Sequence, residues 1–159
     1  MEHKILTLPN LTIVGMQTFG NVEDGSPRQM WEALWNNDIE IPGRINKNTM
    51  YGIETYTKEM QTSKKWFFMA GVEVDSLDNM PIQMSAKLIP ENTYACFEYK
   101  GAISPELGLS EIFQKIYNWL PDSGYRQAAP YDIERYDERF VYDHDDSVME
   151  ILIPICKSL

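Results

Sequence analysis

The chain has 159 residues, 43% apolar and 24% charged, with a formal net charge of −10. That length fits one domain able to bury a core, and an acidic surface repels phosphate backbones and anionic headgroups, which argues against direct nucleic-acid or membrane binding. The start at Met1 to Lys4 is charged and no apolar run approaches the ~20 residues of a membrane span, so a cytoplasmic location is expected.

Leu11 to Gln17 reads as a first strand. Ser26-Pro27 is a helix start, serine as N-cap and proline at the first helical position, and the helix to about Asn37 pairs Met30 with Leu34 and Trp31 with Trp35. Asp38 to Asn48 is a loop, Met50 to Tyr56 a strand, and Thr57 to Lys64 a charged turn. The apolar run Trp66 to Val74 is expected in the middle of its sheet. Asp75 to Asn92 is mainly connection, with a short pairing of Ile82 to Leu88 left open.

The second half repeats that order. Thr93 to Gly101 is a strand, Ser104-Pro105 echoes Ser26-Pro27, and Leu109, Ile112, Phe113, Ile116 and Leu120 form an amphipathic stripe ended by Pro121 and Gly124. Gly108 weakens that helix's first turn. Tyr131 to Tyr136 alternates, placing Asp132, Glu134 and Tyr136 on one face and Tyr131, Ile133 and Arg135 on the other. An acidic loop, Asp137 to Asp146, leads to a last strand, Val148 to Ile155, whose Pro154 implies a sheet edge or a strand end. Tyr51-Gly52-Ile53-Glu54-Thr55-Tyr56 shares Tyr, Ile, Glu and Tyr with Tyr131 to Tyr136 at an offset of 80 residues. The expectation is an α+β fold of duplicated β-α-β-β units with pseudo-twofold symmetry: an antiparallel sheet, two helices and a central cleft. It reads as a single domain over 1–159, with halves at about 4–75 and 92–157.

No phosphate loop, G-x-S-x-G elbow or HExxH is present, and no cofactor is implied. Cys96 and Cys156 read as buried reduced thiols, Asp143-His144-Asp145-Asp146 as a solvated turn rather than a metal set, and His3 as part of a mobile terminus.

Asn92-Thr93-Tyr94-Ala95-Cys96-Phe97-Glu98-Tyr99-Lys100-Gly101, Trp119-Leu120-Pro121-Asp122-Ser123-Gly124-Tyr125, Ile133-Glu134-Arg135-Tyr136 and Ile153-Pro154-Ile155 together resemble the motifs of the GyrI-like small-molecule-binding domains. The same domain forms the effector-binding part of AraC- and MerR-type multidrug regulators. The resemblance implies a cleft for aromatic, often cationic, compounds, with Glu134 meeting the ligand's charge among aromatic rings. It also implies a stand-alone binder, because the module starts near residue 4 with no DNA-reading part ahead of it. The expected ligand-binding residues are Glu134, Tyr136, Trp31, Trp35, Tyr51, Trp66, Phe68, Phe97, Tyr99 and Met149, with Glu54 as a weaker candidate. Two alternatives stand beside this reading. One is a hydrolase of small electrophiles, with Glu134 as general base and Tyr136 or Tyr99 assisting. The other is a protein-binding regulator that uses the acidic loop Glu138 to Asp146. The ligand's identity and the oligomeric state are not legible.

Overall fold

Ile53 and Ile133 stand opposite each other in an antiparallel ladder, and the two halves of the molecule are arranged about that pair. The computed structural model describes residues 1–36, 40–103 and 109–159. Among these residues the elements are β1 (His3–Leu8), β2 (Leu11–Gly20), α1 (Ser26–Asn36), β3 (Met50–Thr55), α2 (Met60–Ser63), β4 (Trp66–Glu73), β5 (Ser85–Ile89), β6 (Asn92–Lys100), α3 (Ser110–Trp119), β7 (Tyr125–Gln127), β8 (Tyr131–Tyr136) and β9 (Val148–Lys157). A 3-10 turn, Leu120–Asp122, follows α3.

The strands form one antiparallel sheet in the order β1-β6-β9-β8-β3-β4-β2-β5, with β7 beside β9. The triplet β6-β9-β8 is mirrored by β3-β4-β2, and the halves meet where β8 pairs with β3. This is the expected duplicated α+β architecture.

The leading strand of each repeat crosses to the other repeat. β1 pairs with β6, and β5 pairs with β2. Only Pro9 and Asn10 separate β1 from β2, and only Pro90 and Glu91 separate β5 from β6. Consecutive Cα atoms are about 3.8 Å apart, so each connection holds opposite ends of the sheet within ~11 Å. The sheet must therefore curl. Its inner face is filled by Leu11, Ile13, Tyr51, Ile53, Met69, Ile89, Tyr94, Cys96, Ile133 and Leu152, drawn from both ends and from the centre. Each fully buried aliphatic there contributes roughly 1.5–3 kcal/mol. On the outer face, α1 covers Val14, Phe68, Ala70 and Val72, while α3 covers Ala95, Phe97, Met149, Ile151 and Ile153.

The strand expected at Trp66 to Val74 is β4, inside the sheet between β3 and β2. The segment left open, Ile82 to Leu88, supplies β5. Several expectations change. His3 is not in a loose terminus: it begins β1, and its ring lies 5.3 Å from Phe97 and 4.7 Å from Trp119. Ser26 donates its hydroxyl to Asp24 instead of capping the helix. The turn after Tyr56 contains the single helical turn α2. Pro154 lies inside the sheet, where β9 changes partner from β8 to β7; its carbonyl accepts from Ala128 N–H at 2.8 Å. A strand residue's N and O point to the same side, so the missing donor falls at that interruption of the ladder. The helix start at Ser104-Pro105, with Gly108, lies outside the described residues.

Candidate functional site

Alternation on the two seam strands turns Gly52 and Glu54 of β3, and Asp132, Glu134 and Tyr136 of β8, toward the helices. In the ladder Glu134 faces Gly52 and Glu54 faces Asp132. Gly52 leaves the room that Glu134 occupies: a Cβ there would stand 2.6 Å from Glu134 Oε2. Each glutamate is followed two residues later by a tyrosine. Tyr136 donates to Glu134 Oε2 at 2.7 Å. Tyr56 Oη lies 2.7 Å from both Glu54 Oε2 and Asp132 Oδ2. Tyr117 of α3 also donates to Asp132 Oδ2, and Gln127 Nε2 donates to Oδ1 at 3.0 Å. Glu54 and Glu134 stand close enough that each shifts the other's ionisation.

This geometry places one proton. Tyr56 has a single O–H, so it donates to only one of its two carboxyl contacts at a time. Asp132 already accepts from Tyr117 and Gln127, whereas Glu54 also contacts the Glu134 carboxylate. Glu54 and Glu134, side by side, share one proton; carried by Glu54 and turned toward Glu134, it leaves Glu134 as the anion. Electrostatics agree. Burial, then the neighbouring charge of Glu134, pushes Glu54 well above the carboxylate range. Burial also raises Glu134, while the bonds from Tyr136 and Glu54 hold it back. Burial lifts Asp132 to about 7 against the donation of Tyr117 and Tyr56. Tyr56, Tyr117 and Tyr136 are all pushed up by burial and act as neutral donors.

Above the carboxyls, between α1 and α3, lies a cavity of about 1100 Å³. Its walls include Trp31, Trp35, Trp66, Phe68, Phe113 and Tyr136, with Glu54, Tyr56, Tyr117 and Glu134 at the floor and Phe140 and Tyr142 from the acidic loop. The Trp31 ring meets Tyr136 edge-on at 5.2 Å, and Phe140 meets the same tyrosine at 4.7 Å. Trp35 stacks on Trp31 at 5.9 Å and is 52% exposed at the rim. Glu23, Arg28 and Glu32 also line the cavity, and Arg28 pairs with Glu32 at 2.9 Å. A flat apolar cation entering here would meet π-faces and, at the floor, one negative charge.

Of the ten residues singled out in the sequence, the structure brings six to this cavity: Trp31, Trp35, Trp66, Phe68, Glu134 and Tyr136. Four lie elsewhere. Tyr51 has the opposite parity to Glu54 and packs in the inner core. Phe97 and Met149 share the outer face but are covered under α3, Phe97 edge-on to Trp119 at 5.1 Å. Tyr99 turns back to donate to the Ala102 carbonyl at 3.3 Å. Sequence reasoning did not place Tyr56, Tyr117, Asp132, Phe113, Gln127 or Phe140 at a site. Tyr56 was signalled by the repeat, as the counterpart of Tyr136; Tyr117 stands one position off the apolar stripe of its helix.

Among the described residues no group of His, Cys, Asp and Glu could hold a metal ion, and no helix is long and apolar enough to cross a membrane. Cys96 is buried and both cysteines are free.

Residues 1–155 match the family described as the GyrI-like small molecule binding domain. The transcriptional regulator BrlR of Pseudomonas aeruginosa is 32% identical over 157 residues, covering 98% of this chain and 56% of the regulator. The chain thus spans little more than half the length of that curated relative. SAV2435 bound to tetraphenylphosphonium superposes with a TM-score of 0.77 at 15% identity, over 98% of this chain and 94% of that one. The C-terminal domain of EcmrR gives 0.67 at 15% identity, over 99% and 98% of the two chains. At these identities the two structural matches establish a common fold.

Proposed function

This chain belongs to the GyrI-like small-molecule-binding domains, and from that premise we propose that its cavity captures aromatic, lipophilic cations, with Glu134 as the counter-charge. The observation that carries the reading is Glu134 itself. It is 4% exposed, holds no ion-pair partner among the described residues, and faces a cavity with aromatic walls. A buried carboxylate without a countercharge costs several kcal/mol, and a ligand cation relieves that cost. The rings of Trp31, Phe68 and Tyr136 add cation–π attraction of roughly 0.5–2 kcal/mol each and tolerate varied shapes. That a neighbour of the same fold was captured with tetraphenylphosphonium supports the choice of ligand class. Ligand-binding roles are proposed for Trp31, Trp35, Trp66, Phe68, Glu134 and Tyr136, whereas Tyr51, Phe97, Tyr99 and Met149 act as scaffold.

Titration with tetraphenylphosphonium, followed by tryptophan quenching, tests this. Saturable binding in the wild type that weakens strongly in Glu134→Gln is expected. Equal affinity in the two proteins would remove Glu134 from the site.

A second reading, hydrolysis of a small electrophile, is favoured by one observation: Glu54 and Glu134, an acid and a carboxylate side by side, line a cavity with room for a water and a small substrate. Product formation that disappears in Glu134→Gln would select it over binding alone.

A further inference from the structure

The internal repeat gives this cavity two glutamates where a single cation needs one. Glu54 and Glu134 occupy equivalent places in the two halves, each has a tyrosine two residues on, and both line the cavity floor. We propose that Glu54 carries an exchangeable proton and that the floor takes closely spaced aromatic dications in place of that proton, while monocations bind with the proton retained. The inference rests on the cation-binding reading above.

Charge balance is the reason. With the proton on Glu54 the pair carries one negative charge, which one ligand cation neutralises. A second ammonium group brings its own N–H donors to Glu54 and a second positive charge. The Glu54 O–H bond then breaks, its proton passes to bulk buffer, and the dianionic pair faces the dication. The other titratable and charged groups around the floor are Tyr56 just after β3, Asp132 and Tyr136 on β8, Tyr117 on α3, and, toward the rim, Glu23, Arg28 and Glu32. Asp132 is fully buried behind Tyr56 and already holds three donors, so Glu54 is the member free to exchange.

The test uses two probes of matched skeleton, naphthylmethyl-butylamine as monocation and naphthylmethyl-putrescine as dication. Calorimetry at pH 7, in two buffers of different ionisation enthalpy, counts protons. The wild type is expected to release about one proton per dication and close to none per monocation. In Glu54→Gln, whose amide preserves a donor toward Glu134, that release disappears. The preference for dication over monocation then falls about 10- to 100-fold, the worth of a charge-assisted hydrogen bond. Thermal denaturation checks that the variant folds, and the proton count on the wild type stands independently of it. Dication binding without proton release, or an unchanged preference in the variant, overturns the inference and leaves the cation site standing. If neither probe binds the wild type, both readings fall.

Discussion

Glu134 lies directly over Gly52, its Oε2 2.6 Å from the point where a side-chain carbon would begin. The Phe68 ring closes the same space, with Cζ 3.2 Å from that point. Gly52→Ala should therefore displace the carboxylate from Tyr136. Overpacking of this kind costs about 1–3 kcal/mol of stability. Phosphonium affinity should drop at least about tenfold, because the charge moves relative to the ring walls. Urea denaturation and the quenching titration measure the two effects separately.

Tyr136→Phe keeps the ring and removes the donor to Glu134. Burial already raises Glu134, and the tyrosine's bond opposes that rise. Without it the carboxyl protonates more readily. Cation affinity, which needs the anion, rises with pH in the wild type; in the variant that rise should move to higher pH. Titrations from pH 5 to 9 would show it, and superimposable profiles would mean that Tyr136 does not act on the charge.

Asp132 gives a stability prediction with a definite sign. Its folded value of about 7 lies above the model-peptide value of 3.8. Between those two the native state binds more protons than the unfolded one, so stability falls as pH rises through that window. The full shift corresponds to up to about 4 kcal/mol. Asp132→Asn should flatten the decline between pH 4 and 8, read from urea midpoints. A wild type whose stability climbs over this range would contradict the buried acid cluster.

On the inner face, Glu150 is 3% exposed and accepts from Arg135 Nε at 2.7 Å, with Lys4 at 3.2 Å. Arg135→Met would leave a buried carboxylate served mainly by the flexible Lys4, a loss of roughly 3–5 kcal/mol. The double change Arg135→Met with Glu150→Gln should recover part of it, because the orphan charge is gone. A full double-mutant cycle in denaturant checks this.

The duplication, the helix faces and the position of Glu134 were legible because they rest on period and spacing within short stretches. Parity alone already separated Tyr51 from Glu54, yet aromatic character drew Tyr51 onto the site wall. Phe97 and Met149 share the correct face but lie one or more strands from the seam, and strand order is a long-range property that periodicity does not carry. β1 escaped notice because its sequence, HKILTL, is short and begins with charge. Pro9 and Pro90 stand at the same repeat offset as Thr12 and Thr93, and matching them would have paired β1 with the role of β5. The acid cluster required the register of β3 against β8, which sets Glu54 beside Asp132.

The exchange of β1 and β5 between the repeats has a mechanical consequence. Two lobes joined by a single hinge can open like a shell, but here each lobe grips a strand of the other, and a common core lies between them. Parting the lobes would unzip the β1–β6 and β2–β5 ladders together with the β3–β8 seam. A bulky ligand must therefore enter the way a hand enters a pocket, by shifting the fabric at the opening: α1 with Trp35, and the loop bearing Phe140 and Tyr142. The floor, with Glu54 and Glu134 on the paired seam strands, is held in the ladder, so whatever compound arrives meets the same arrangement of charge.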